Sequence, residues 1–92
     1  MESIVQSEKE CMICGTTQNL HLHHIFGASN RKHSTEFGLT CFLCAPHHNM
    51  SDEGVHFKRE TDIALKEYAQ RKFEAKWGTR EDFRRIFGRS WI

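Results

Sequence analysis

Ninety-two residues make one domain with a small core, and only 38% of them are hydrophobic, so stabilisation beyond apolar burial is expected, most obviously from a bound metal. No apolar run approaches the ~20 residues of a membrane span, and no signal-peptide pattern sends the four cysteines to an oxidising compartment, so the expectation is a cytoplasmic protein with reduced thiols. The net charge of +1 hides an asymmetry: residues 1–56 carry three Lys/Arg against six Asp/Glu, whereas residues 57–92 carry ten against six. A basic C-terminal half can track a phosphate backbone, or it can simply be the solvated face of amphipathic helices.

Residues 1–10 are polar and without periodicity, which reads as a flexible lead-in to a single domain over 11–92. Cys11-Met12-Ile13-Cys14-Gly15 then places two thiolates in a turn that glycine relaxes. Alone, such a C-x-x-C is either a redox pair or half of a zinc site, and the ligand cluster that follows downstream favours zinc.

Residues 20–25, Leu-His-Leu-His-His-Ile, have strand character. Alternation puts His21 and His23 on one face and Leu22 and His24 on the other. For His23 and His24 to serve one site, the strand must end or bulge there; His21 with His23 is the competing pair. Residues 27–38 are expected as a loop carrying Arg31 and Lys32, two cations placed to meet a phosphate or simply to be solvated.

Residues 39–44 form a second strand, paired with the first as a hairpin. Two knuckles then compete: Cys41 with Cys44, giving four cysteines, or Cys44 with His47, giving three cysteines and a histidine. Ala45-Pro46 can turn and Phe42-Leu43 is an apolar strand pair, so Cys11, Cys14, Cys44 and His47 are the favoured structural zinc ligands, with Cys41 a buried small hydrophobe. His48 follows directly, and a glycine-containing loop leads to His56, just ahead of a helix over residues 58–77. Thr61, Ala64, Leu65, Tyr68, Ala69, Phe73 and Trp77 mark its apolar stripe. Thr79 opens a short second helix with Phe83, Ile86 and Phe87 on its buried side, and Ser90-Trp91-Ile92 is expected to pack back on the core.

The histidines left over, His23, His48 and His56, can form an open three-ligand site beside an unligated His24. An open metal site next to a free base suits metal-assisted hydrolysis, with His24 deprotonating the attacking water. Three imidazoles suit Zn, Ni, Co or Mn better than Mg, which prefers oxygen ligands.

Over residues 11–60 this ordered set resembles the HNH endonucleases of the ββα-metal (His-Me finger) class, especially small phage-type and recombination-associated members with a structural zinc. The resemblance rests on Cys11-x-x-Cys14, Leu22-His23-His24-Ile25, Leu43-Cys44-x-x-His47-His48 and Val55-His56. It implies an α+β fold in which a zinc-clamped hairpin is followed by a helix, with further C-terminal helices over residues 58–92. It also implies a DNA endonuclease or nickase in which His23, His48 and His56 bind a catalytic divalent metal and His24 is the general base. The small size of the chain adds the expectation of a protein partner for targeting. The asparagine usual near the start of the second strand is missing: Gly38-Leu39-Thr40 stands there, and Asn30 lies well inside the loop. A non-catalytic zinc-finger-like binding module, or a degenerate nuclease kept for binding, is the competing expectation.

Overall fold

The computed structural model describes residues 2–50 and 54–92. Strand β1 (Leu20–His24) and strand β2 (Thr40–Cys44) form a two-stranded antiparallel sheet, with Leu20 opposite Cys44 and His24 opposite Thr40. Helix α2 (Arg59–Lys76) and helix α3 (Arg80–Phe87) follow, so the chain is a small α+β domain. No described helix is long and apolar enough to cross a membrane.

The connection between the strands is not the expected loop. Residues 28–30 make one tight turn and Arg31–Phe37 form helix α1. The only buried residue of this seven-residue helix is Ser34, so it carries no hydrophobic stripe to betray it. Gly38 was the available signal: at φ 73° it ends the helix in the left-handed conformation that glycine adopts without penalty. Ser34 Oγ accepts a hydrogen bond from Phe26 N and donates one to Phe26 O, which pins α1 to the end of β1.

Residues 2–10 lack regular structure but are engaged with the sheet. Val5 is buried, Ile4 N donates to Gly38 O, and Gln6 Oε1 accepts from Phe42 N, while Met12 N donates to Phe42 O. A two-stranded sheet leaves β2 with an outer edge, and these contacts satisfy its main-chain groups. The lead-in therefore acts as an edge cover.

The buried face of α2 also differs from the expected stripe. Leu65, Ala69 and Phe73 face the core, but the fourth buried residue is Gln70, whereas Ala64, Tyr68 and Trp77 are exposed. Gln70 is buried because it is satisfied: Oε1 accepts from Trp91 N, and Nε2 donates to Ser90 Oγ and Glu74 Oε2. It anchors the C-terminal segment, which packs back as expected. Thr79 caps α3 through a reciprocal pair, its hydroxyl accepting from Asp82 N and Asp82 Oδ2 accepting from Thr79 N. Phe83 and Phe87 stack 4.4 Å apart in the core beneath Phe26 and Phe73, so these aromatics are core and not base-stacking platforms.

Candidate metal centres

Two clusters of ligand-type side chains lie beside the hairpin. In the first, Cys11, Cys14, Cys44 and His47 bring one ligand atom each within 4.8 Å of one another. Cys14 Sγ lies 3.8 Å from Cys44 Sγ, and His47 Nδ1 lies 3.2 Å from Cys44 Sγ and 3.7 Å from Cys11 Sγ. Thiolates ~2.3 Å from a tetrahedral zinc stand about 3.8 Å apart, and a sulfur–nitrogen edge is about 3.6 Å. The group therefore fits one zinc-sized ion.

Its electrostatics agree. Burial opposes ionisation of Cys11, but the backbone amides of Cys44, Cys14 and Ile13 and the Cys14 thiol, all turned to its sulfur, outweigh burial and bring its pKa down to about 6. Cys44 is pushed upward by burial and by Cys11 and Cys14 beside it. Three thiols this close cannot all ionise unaided, and a dication removes the conflict.

Cys41 is outside the group. It is 1% exposed, and burial together with Cys11 pushes its pKa up to about 12, so it packs as a neutral hydrophobe. The choice between Cys41 and His47 falls to His47 because Pro46–Met50 forms a wide helical turn straight after β2, which swings His47 back onto Cys44.

The same turn carries His48 into the second cluster, with His23 and His56. His48 Nε2 lies 3.1 Å from His56 Nε2, and the His23 ring centre lies 5.3 Å and 5.6 Å from those of His48 and His56. Imidazole nitrogens sharing one tetrahedral ion are about 3.3 Å apart. His23 Nε2 is buried and has no hydrogen-bond partner among the described residues, as a ligand awaiting an ion would be. Burial, then His48 and His56, bring the His23 pKa down to about 4 against a weaker upward pull from Asp62. It is thus neutral at neutral pH, with one ring nitrogen's lone pair able to meet a metal.

His48 and His56 meet because of Gly54. Val55 N donates to His47 O and His56 N to His48 O, so the chain after the turn runs back along it. At Gly54 a Cβ would stand 2.7 Å from His48 O, closer than any side chain tolerates. Residues 51–53, part of the expected loop, lie outside the described residues.

His24 is the last residue of β1, so alternation stops there, and His23 and His24 both line one cavity of about 370 Å³ with His56, Asp62 and Lys66. Burial and the Arg31 charge lower the His24 pKa and keep its ring neutral. Among the described residues none hydrogen-bonds to that ring; Asn30 donates instead to Phe87 O. Of the two expected substrate cations, Arg31 acts on His24 through its charge. Both Arg31 and Lys32 are exposed, and neither lines the cavity.

His21, of the competing pair, lies outside this group, with its Nδ1 3.0 Å from His48 Nδ1. Two residues here were not singled out from sequence. Asp62 and Lys66 form a 2.8 Å ion pair on α2 whose i,i+4 spacing is plain, but not which cavity that face meets. Compared with known proteins, the chain matches no family model, no curated protein and no solved structure.

Proposed function

We propose that this chain is a metal-dependent phosphodiester hydrolase acting on DNA, built as a ββα-metal (HNH-type) unit. One observation supports this above the rest: His24 shares a cavity with His23 and His56, two of the three convergent imidazoles that could hold one ion. A zinc-finger-like module has use for the cysteine cluster but none for four further histidines.

Cys11, Cys14, Cys44 and His47 would hold a structural Zn2+. His23, His48 and His56 would hold a second divalent ion, chosen among Zn, Ni, Co, Mn and Mg, which supplies positive charge against the charge developing on the phosphate and its leaving oxygen. The chain's own groups position and move the proton. His24, neutral at pH 7, takes the proton of the attacking water. Arg31, whose charge reaches His24, attracts the phosphate to that side. The pair Asp62–Lys66 also lines the cavity, with Lys66 held in place by its carboxylate partner. A partner protein would supply targeting that so small a surface lacks.

The test is nicking of supercoiled plasmid by wild type and His24→Ala across Mg, Mn, Ni, Co and Zn. Cleavage should need an added metal and fall by about 10²–10⁴-fold in a folded His24→Ala protein. The absence of an amide on His24 supports one other reading, a degenerate nuclease kept for binding. Wild type inert with every metal would select it.

A further inference from the structure

Beside the histidine cavity lies a second cavity of about 210 Å³, lined by Gly27, Asn30, Lys66, Arg89 and Trp91 above Phe26 and Phe87. The two cavities share Gly27 and Lys66 in their walls, so they adjoin. Two cations from distant parts of the chain meet in the second on a single indole. Arg89 Cζ lies 3.9 Å from the Trp91 ring centre, and Lys66 Nζ lies 4.6 Å from it.

Both cations are held and not merely exposed. Lys66 is fixed from below by Asp62 Oδ2 at 2.8 Å, and its side chain is only 19% exposed. Trp91, which carries them, is tied to α2 because Gln70 Oε1 accepts from its backbone N at 2.7 Å. Among the described residues, no carboxylate stands within salt-bridge distance of Arg89. Ordering two long side chains around an aromatic plate reduces the entropy lost when they close on an anion.

We propose that Lys66 and Arg89, braced on Trp91, bind a backbone phosphate of a nucleic-acid strand that runs on from the histidine cavity. This deepens the reading above and rests on it for the direction of the strand. A guanidinium fork grips two phosphate oxygens, while Lys66 contributes a point charge at the mouth shared with the histidines. Binding here carries no base readout, because the contact is to the backbone alone. It gives the C-terminal segment, whose sequence reads only as packing, a role in holding the strand.

The experiment measures anisotropy of a fluorescein-labelled oligonucleotide against salt concentration, with the zinc-loaded full chain in a His24→Ala background that keeps the strand intact. Arg89→Gln and Lys66→Met, each verified as folded by circular dichroism and zinc content, should each lower the slope of log K against log salt, and the two combined should lower it by about 0.7–0.9, the worth of the one phosphate they share. Arg89→Lys should restore most of that slope. Inorganic phosphate as competitor separates the sources: a strand site holds the oligonucleotide at phosphate concentrations that would empty a free-phosphate site. Unchanged slopes in both folded variants, displacement by low phosphate, or no oligonucleotide binding at low salt would each overturn the proposal. Plasmid nicking by the chain with native His24 decides the nuclease reading separately. A protein that binds with these slopes but never nicks keeps the subsite and loses the nuclease, and one that nicks with unchanged slopes does the reverse.

Discussion

His48 is engaged at both ring nitrogens, and that governs how well it can serve as a ligand. If Nε2, which faces His56, is to offer its lone pair to an ion, the ring proton must sit on Nδ1, and His21 Nδ1 at 3.0 Å is the acceptor waiting there. A ligating histidine whose second nitrogen donates in this way is fixed in tautomer and orientation. Replacing His21 with Leu should therefore weaken metal binding at the histidine cluster by about 10–100-fold while leaving the cysteine cluster loaded. His21→Glu should retain the affinity, since a carboxylate accepts the same hydrogen bond. Titration of the zinc-loaded protein with Co2+, followed by its visible absorption, reads this directly; equal affinity in His21→Leu would show that the contact does not orient His48.

Helix α1 packs on the core through Phe37, against Phe73 and Phe87, and through one fully buried polar contact. Ser34, with no exposed surface, satisfies both main-chain groups of Phe26 just past the end of β1. That contact holds α1 against the strand end and hence Arg31 near His24. Removing the hydroxyl leaves a buried N–H and a buried C=O unpaired, so Ser34→Ala should cost about 2–3 kcal/mol in urea unfolding. Thr35→Ala, whose hydroxyl only donates to Arg31 O on the exposed side, should change stability by less than about 0.5 kcal/mol. Similar losses in the two variants would mean that α1 is held by something other than Ser34.

For the whole molecule, a core of this size needs a clamp, and the cysteine cluster joins the lead-in at Cys11 and Cys14 to the end of β2 and the turn after it. Cys14 is exposed and fills no core space, so Cys14→Ala removes a ligand without opening a cavity. If folding is coupled to metal there, Cys14→Ala and treatment with a strong chelator should both abolish the cooperative thermal transition. His56→Ala should keep that transition and lose only the second metal equivalent. A cooperative melt in the chelated protein would show that the apolar core suffices alone.

Much of the candidate site was legible in the linear sequence because metal ligands carry their chemistry in residue type and spacing. The C-x-x-C pair, the turn-competent Cys44-Ala45-Pro46-His47 and the histidines His23, His48 and His56 nominated the two groups that the structure assembles. Strand alternation and the caps at Thr79 and Gly88 are likewise local, set by the backbone's own periodicity and hydrogen bonding. What required tertiary structure was every feature that depends on a partner distant in the chain. Helix α1 is held by Phe26, and Gln70 is buried because the C-terminal segment satisfies it. The lead-in is ordered by the edge of β2, and Arg89 meets Lys66 only because Trp91 folds back. Side-chain type alone reveals what a group can do, but burial and hydrogen bonding decide where it does so, and those depend on neighbours that only the folded chain supplies.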